Sequence, residues 1–287
     1  MPKVNQCESE MMVPFRKFDN YKKKYEKFFD LQRSESGVIT AKWNLNGESS
    51  PWDYYLHRGI GQLCADVGQD AESEVLILGG AGDSFLTLGK TSLPEDFETK
   101  KWSYYEHSYY DGCNMVEGLI NDVEQPTIGI INGKTPAVHS EIALLCDITL
   151  MSEEATILDP HFAMAGTLFG DGIQIALRAH MGIKRSNYAM LFGQKITAQQ
   201  ALEYGLVNEI VPADKIYERA QELAEQLAAK PRISRRIATQ TMRAPLKEQI
   251  AKELRPTFGT EMWDMLVTSV THDEAFKDMK KGDKDIK

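Results

Sequence analysis

What most restricts the possible folds of this chain is a series of short runs that are apolar almost from end to end. VLILGG at 75–80 runs into glycines, and TIGII at 127–131 runs into the turn Asn132-Gly133. ITLM at 148–151 and ATIL at 155–158 flank the turn residues SEE. A strand without a polar face must be covered on both sides, which is the habit of parallel sheets in α/β proteins. GVITAKWNL at 37–45 alternates more loosely and reads as a further strand.

The segments between these runs carry helical spacing. SSPWDYYLHRGIGQLCADVGQD opens on Ser and Pro and places Tyr55, Ile60, Leu63 and Val67 on one face. EHSYYDGCNMVEGLINDVEQ is a second helix. From Gly170 onward the chain turns mainly helical, with Thr197 as an N-cap and VNEIVP as a short strand. ADKIYERAQELAEQLAAKP is an amphipathic helix stopped by Pro231. The remaining helical stretch is expected to break near Pro245 and Pro256, and the KKGDKDIK tail to be disordered.

Charge and cysteines narrow the function. A net charge of -9 disfavours a nucleic-acid partner, which would call for a basic surface. The Lys-rich YKKKYEKFF reads as a solvated face. No run reaches the ~18 apolar residues of a membrane span, and no basic segment precedes an apolar core at the N-terminus. A cytoplasmic protein with no membrane partner is expected. Cys7, Cys64, Cys113 and Cys146 form no C-x-x-C pair, so neither a metal site nor a disulfide framework is expected.

Familiar site motifs fail on spacing. For a phosphate-binding loop ending in Gly89-Lys90-Thr91 the first glycine would have to be residue 84, which is Ser84. For Gly133-Lys134-Thr135 it would be Ile128. No G-x-G-x-x-G follows a strand, and no G-x-S-x-G is present. His139-Ser140-Glu141 has the H-x-E of zinc deaminases without their P-C-x-x-C. What remains unexplained is PAVHSEIALLCDITL, an apolar run holding His139 and Glu141, and LDPHFAMAGTLFGDG, with His161 and Asp171 in similar surroundings.

From Val75 to Pro212 the chain resembles the crotonase (enoyl-CoA hydratase/isomerase) superfamily. VLILGGAGDSF with LTLGKTSL resembles its strand and first oxyanion loop, and PTIGIINGKTPAVHSEIALLCDITLMSEEATI its second oxyanion loop, helix and following strand. FGDG and ITAQQALEYGLVNEIVP match later family segments. The resemblance implies a spiral of ββα turns in residues 1–215, including an N-terminal extension. It also implies a C-terminal helical trimerisation region in 216–287, and assembly as a homotrimer or homohexamer.

Departures from the common pattern are informative. Leu88-Gly89-Lys90-Thr91 replaces the A-G-x-D of coenzyme-A-handling members, Val138-His139 replaces a glycine pair, and His161 stands where hydratases place a glutamate. His139, His161 and Asp171 instead match the branch of 6-oxocamphor hydrolase and related β-diketone hydrolases. That branch implies cofactor-free retro-Claisen cleavage of a cyclic or bulky β-diketone by water. His161 is then the general base oriented by Asp171, and His139 a hydrogen-bond donor to a substrate carbonyl or the enolate oxygen. Glu141 orients His139 or handles a proton, and Glu261 matches a C-terminal acid of the branch. Trp52 walls the pocket, and backbone N–H groups near Thr87, Leu88 and Val138 are expected to hold the oxyanion.

His57, His107, His180 and His272 match nothing in the branch and read as structural, Asp147 and Asp159 as strand-end or turn residues, and Trp102 and Trp263 as core or interface. Two other functions are compatible with the sequence: an acyl-CoA hydratase, isomerase or hydrolase, and a non-catalytic scaffold. Retention of the whole histidine and aspartate set argues against the scaffold.

Overall fold

The computed structural model describes residues 15–44, 46–52, 54–87, 97–134 and 136–268. The chain opens with α1 (Phe18–Tyr25), β1 (Phe29–Arg33), β2 (Val38–Trp43), α2 (Tyr54–Gly68), β3 (Val75–Gly80) and α3 (Phe97–Glu117). Next come a π-turn at Gly118–Asp122, β4 (Thr127–Ile131), β5 (Pro136–Ala137), α4 (Glu141–Leu144), β6 (Ile148–Ser152) and β7 (Thr156–Ile157). A second π-turn at His161–Ala165 leads to α5 (Ile173–Phe192), β8 (Ile196–Thr197), α6 (Ala198–Glu203) and β9 (Glu209–Val211). The helices α7 (Ile216–Ala228) and α8 (Arg232–Thr268) complete the fold.

Six strands form the main sheet in the order β1-β2-β3-β4-β6-β9. Only β1 and β2 pair antiparallel; every other neighbouring pair in it is parallel. β5, β7 and β8 make a small second sheet beside it. The continuous apolar runs follow from this layering. In β3, Val75 and Ile77 face a core shared with α7, while Leu76 and Leu78 face the larger core beneath α2 and α3. Successive side chains of a strand point to opposite faces. Both faces are covered here, so both sets must be apolar.

α4 lies close against β4 because residue 129 is glycine. A Cβ there would stand 2.4 Å from the Ala143 carbonyl oxygen. This approach presses Glu141, the first residue of α4, into the interior. Thr197 caps α6 in a full capping box with Gln200. α1 keeps Tyr21 and Tyr25 buried and turns Lys22 and Lys23 to solvent.

α8 departs from the sequence expectation. It runs through Pro245 and Pro256 as one helix of 37 residues. A proline removes one N–H donor and crowds the preceding turn. Packing along the helix offsets this: Arg243 is buried beneath it, and Thr257 donates to the Glu253 and Leu254 carbonyls around the second proline. The KKGDKDIK tail, Cys7 and His272 lie outside the described residues. Cys64, Cys113 and Cys146 are buried free thiols.

Candidate active site

Five segments distant in sequence bring their polar residues to one buried place. Trp52 precedes α2, and His57 lies in its first turns. His139 stands two residues before Glu141, Asp159 two before His161, and Asp171 just before α5. α8 crosses the chain to add Phe258 and Glu261. His57, Glu141, His161, Asp171 and Glu261 are all less than 9% exposed.

The site is built as two histidine–carboxylate units. In one, His139 Nδ1 lies 2.9 Å from Glu141 Oε1 and 3.4 Å from Asp171 Oδ2. In the other, His161 Nδ1 lies 2.9 Å from Asp159 Oδ2, and His161 Nε2 is 3.9 Å from Glu261 Oε1. The two imidazole rings meet edge to face with centroids 6.4 Å apart. Trp52 stacks on His139 at 3.5 Å and meets His57 edge-on at 4.3 Å.

These pairings correct the sequence reading in three places. The ring of His161 takes Asp159 as its partner, whereas Asp171 sits beside His139 and caps α5 by accepting from the Ile173 N–H. Asp159, read as a turn residue, still makes that turn by accepting from the His161 N–H, but it also holds the ring. The Thr87 N–H, expected to face an oxyanion, is donated to the Ser50 carbonyl at 3.0 Å. Thr87 instead fixes the Trp52 loop, since its own carbonyl accepts from the Trp52 N–H. Leu88 lies outside the described residues. Val138 is buried next to His139. His57 reads as structural in sequence because nothing local marks it; only the packing of α2 against Trp52, His139 and Phe258 brings it here.

His139 adopts φ 51°, left-handed backbone shared with Asn46 alone among described non-glycine residues. This conformation costs an L-residue ~1–2 kcal/mol, and it occurs where strain is often stored for function. The glycine pair that the family usually carries here would bear no such cost. The chain accepts the strain and gains an imidazole in the site.

Burial dominates the electrostatics. It pushes His139 down to about 4, against the pull of Asp171, so the ring is neutral at pH 7. It pushes Glu141 up to about 8. Asp171 rises to about 6 through burial and the neighbouring Glu141. Glu261 is raised well above the ordinary carboxylate range, again by burial first. For His161 burial acts downward, but the charge and hydrogen bond of Asp159, with Glu261 and Asp171 behind, outweigh it and hold the ring well above its ordinary value. A Glu141 that keeps its proton donates to His139 Nδ1, which leaves the His139 Nε2–H as a free donor. Glu141 Oε2 and Glu261 Oε2 are buried without a hydrogen-bond partner among the described residues.

His139, Glu141 and Asp171 offer donor atoms within 4.8 Å of one another, a set that could be imagined around a cation. Two ligands at ~2.0–2.1 Å in tetrahedral array stand ~3.3 Å apart. The 2.9 Å between Nδ1 and Oε1 is a hydrogen-bond separation, so the set as it stands fits a shared proton better.

Known proteins resemble this chain in sequence and fold. A family model described as enoyl-CoA hydratase/isomerase matches residues 56–278. A β-diketone hydrolase from the cyanobacterium Anabaena sp. PCC 7120, solved with (S)-3-oxocyclohexyl acetic acid bound, is 29% identical with a TM-score of 0.77. That match covers 91% of this chain and 98% of the other. The α subunit of a fatty acid oxidation complex from Shewanella frigidimarina is 28% identical over 74% of this chain, and a mitochondrial enoyl-CoA hydratase from Pongo abelii 25% identical over 63%. The matched region spans about 30% and 60% of those two relatives.

Proposed function

Since the chain belongs to the enoyl-CoA hydratase/isomerase family over residues 56–278, we propose that it is an enzyme of that family specialised as a hydrolase of cyclic β-diketones. The observation that carries this reading is the pair of buried histidines, each with its Nδ1 against a carboxylate, one at the position where hydratases of the family place a glutamate. The likeness to the Anabaena hydrolase supports it. The keto acid bound to that protein is what hydrolytic opening of a bicyclic β-diketone leaves behind: one carbonyl has become a carboxylic acid, and the other remains a ring ketone.

The chemistry needs water activated, an oxyanion held and a proton returned to carbon. His161 Nε2 accepts a proton from water as the oxygen attacks one carbonyl. The tetrahedral oxyanion collapses, the carbon–carbon bond breaks, and its electron pair passes into the second carbonyl as an enolate. The His139 Nε2–H donates to the enolate oxygen. The imidazolium formed on His161 gives its proton to the enolate carbon, which completes the addition of one water. Trp52 and Phe258 keep the site dry, and this strengthens each of these interactions. Glu261 faces His161 Nε2 across 3.9 Å.

The proposed partners are therefore a neutral diketone and water, with no cofactor. A homo-oligomer is proposed as well. Ile233, Ile237 and Met242 of α8 are exposed, and Met242 lines a groove of about 870 Å³ between α8 and the start of β6. Light scattering tests it by mass. Among the described residues, no helix is long and apolar enough to cross a membrane.

The functional test offers purified protein a panel of monocyclic and bicyclic β-diketones, with keto acids read by mass spectrometry, beside crotonyl-CoA and related thioesters. Keto acid formed by the native chain and lost on His161→Ala is the expected result. Turnover of thioesters alone would replace the reading with an acyl-CoA hydratase or isomerase.

A further inference from the structure

We propose that Asp159, rather than Asp171, is the positioning residue of His161, fixing which ring nitrogen carries the proton. The inference rests on reading His161 as the general base, and it assigns a role that the local sequence gave no reason to expect.

Three observations support it. First, one carboxylate grips the same residue twice. Asp159 Oδ1 accepts from the His161 backbone N–H at 3.1 Å, and Oδ2 meets ring Nδ1 at 2.9 Å. Backbone and ring are thereby tied to a single group, and the side chain has little rotational freedom. Second, the side chains are only 9% and 6% exposed, so water competes poorly for either partner. Third, the oxygens of Asp171 are engaged elsewhere, one on the Ile173 N–H and the other 3.4 Å from His139 Nδ1.

A simpler role can be separated from this one. A turn in which an aspartate accepts from the N–H two residues on requires one side-chain oxygen only. The second oxygen on the ring adds nothing to the turn. It does set the tautomer: Nδ1 carries the hydrogen, and Nε2 presents its lone pair toward Glu261 and the site. The titratable groups facing this ring are Asp159 on its own segment, Glu261 from α8, Asp171 from the turn before α5, and His139 across the site.

Asp159→Asn tests this cleanly. Asn keeps the oxygen that makes the turn but offers an NH₂ to Nδ1, which drives the ring proton to Nε2 and removes the lone pair that water needs. The same exchange beside a catalytic histidine costs ~10⁴ in kcat when the tautomer is reversed. The expected outcome is a fall of ~10³–10⁴ in kcat with KM within about threefold. The acid limb of kcat/KM should move to lower pH. Asp171→Asn, whose charge acts on His161 more weakly, should move that limb less, whatever it does to the rate. At a pH above the acid limb, where the ring is neutral, nitrogen-15 NMR of the free protein, with the signal assigned by its loss in His161→Gln, should report protonated Nδ1 and bare Nε2 in the native chain and in Asp171→Asn, and the reverse in Asp159→Asn. An Asp159→Asn protein within threefold of native kcat, an acid limb that moves only in Asp171→Asn, or a native ring without a proton on Nδ1 would each overturn the assignment. The NMR measurement needs no substrate. Failure to cleave any diketone would sink the functional reading and leave this one to be judged by the ring.

Discussion

Arg243 offers the sharpest test of how α8 is held over the site. The side chain is buried, and its guanidinium donates to Asp147 through Nε and Nη2. It also reaches the Val123 and Gln125 carbonyls and Thr127 Oγ1. One residue of α8 thus satisfies a carboxylate and two carbonyls in the connection between α3 and β4. Arg243→Met keeps much of the apolar stem and removes every donor. Breaking a buried pair from one side costs ~3–5 kcal/mol, because the other charge stays behind unpaired. Here Asp147 is 21% exposed and retains the Thr127 N–H and hydroxyl, so the lower end, ~3 kcal/mol, is the expectation. At roughly 2 °C per kcal/mol for a chain of this size, that is about 6 °C in Tm. Urea unfolding of the native chain, Arg243→Met, and Arg243→Met with Asp147→Asn gives the comparison. The double variant should recover at least ~1 kcal/mol, since its Asn can still accept from Thr127 and no charge is stranded. Because α8 also carries Glu261 and Phe258, kcat should fall in the single variant. A loss under ~0.5 kcal/mol, typical of an ordinary surface substitution, would refute the claim that Arg243 anchors the helix.

Three further outcomes are expected. His161 is held protonated well above its ordinary value, so kcat/KM should climb with pH and reach half its maximum above 6.5; a profile flat from pH 6 to 9 would remove His161 as the base. Stability should fall as pH rises. A carboxyl raised from 4.5 to about 8 binds its proton more tightly folded than unfolded, and that advantage is lost as pH climbs through 8; the raised His161 acts in the same direction above 6.5, while the depressed His139 adds slope only below 6.5. Tm measured from pH 6.5 to 9 should therefore decline, and Glu141→Gln should flatten the slope. At position 139, Gly should be more stable than Ala by about 0.5–1 kcal/mol, since only Ala places a Cβ at φ 51°, and a denaturant comparison with Ala ahead would deny the strain.

Much of the fold could be read from composition along the chain. The runs at 75–80, 127–131 and 148–151 announced strands covered on both faces, and the covers proved to be α7 on one side and α2 with α3 on the other. The Thr197 cap and the Pro231 stop are local matters and lay in plain view. Pro245 and Pro256 misled because a proline's cost is local while its compensation comes from packing along the whole of α8.

In the site, His139, Glu141, His161 and Asp171 stood out as titratable groups in apolar runs, which need a reason to be buried, and the family resemblance grouped them and added Glu261. Which carboxylate serves which histidine was not legible. Asp159 and Asp171 stand two and ten positions from His161, and nothing in a one-dimensional pattern says which oxygen meets the ring. The turn Asp-Pro-His folds the nearer carboxylate back on its own neighbour, while Gly172, at φ 111°, turns the chain after Asp171 into α5 and sends its carboxylate toward His139. The arrival of His57 and Glu261 likewise depends on helices packed across the sheet. Sequence by itself settled the layers and marked titratable residues lying in apolar runs, because burial and periodicity are properties of each segment. Tertiary structure alone decided the pairing of donors and acceptors, because a hydrogen bond is made or missed within tenths of an ångström.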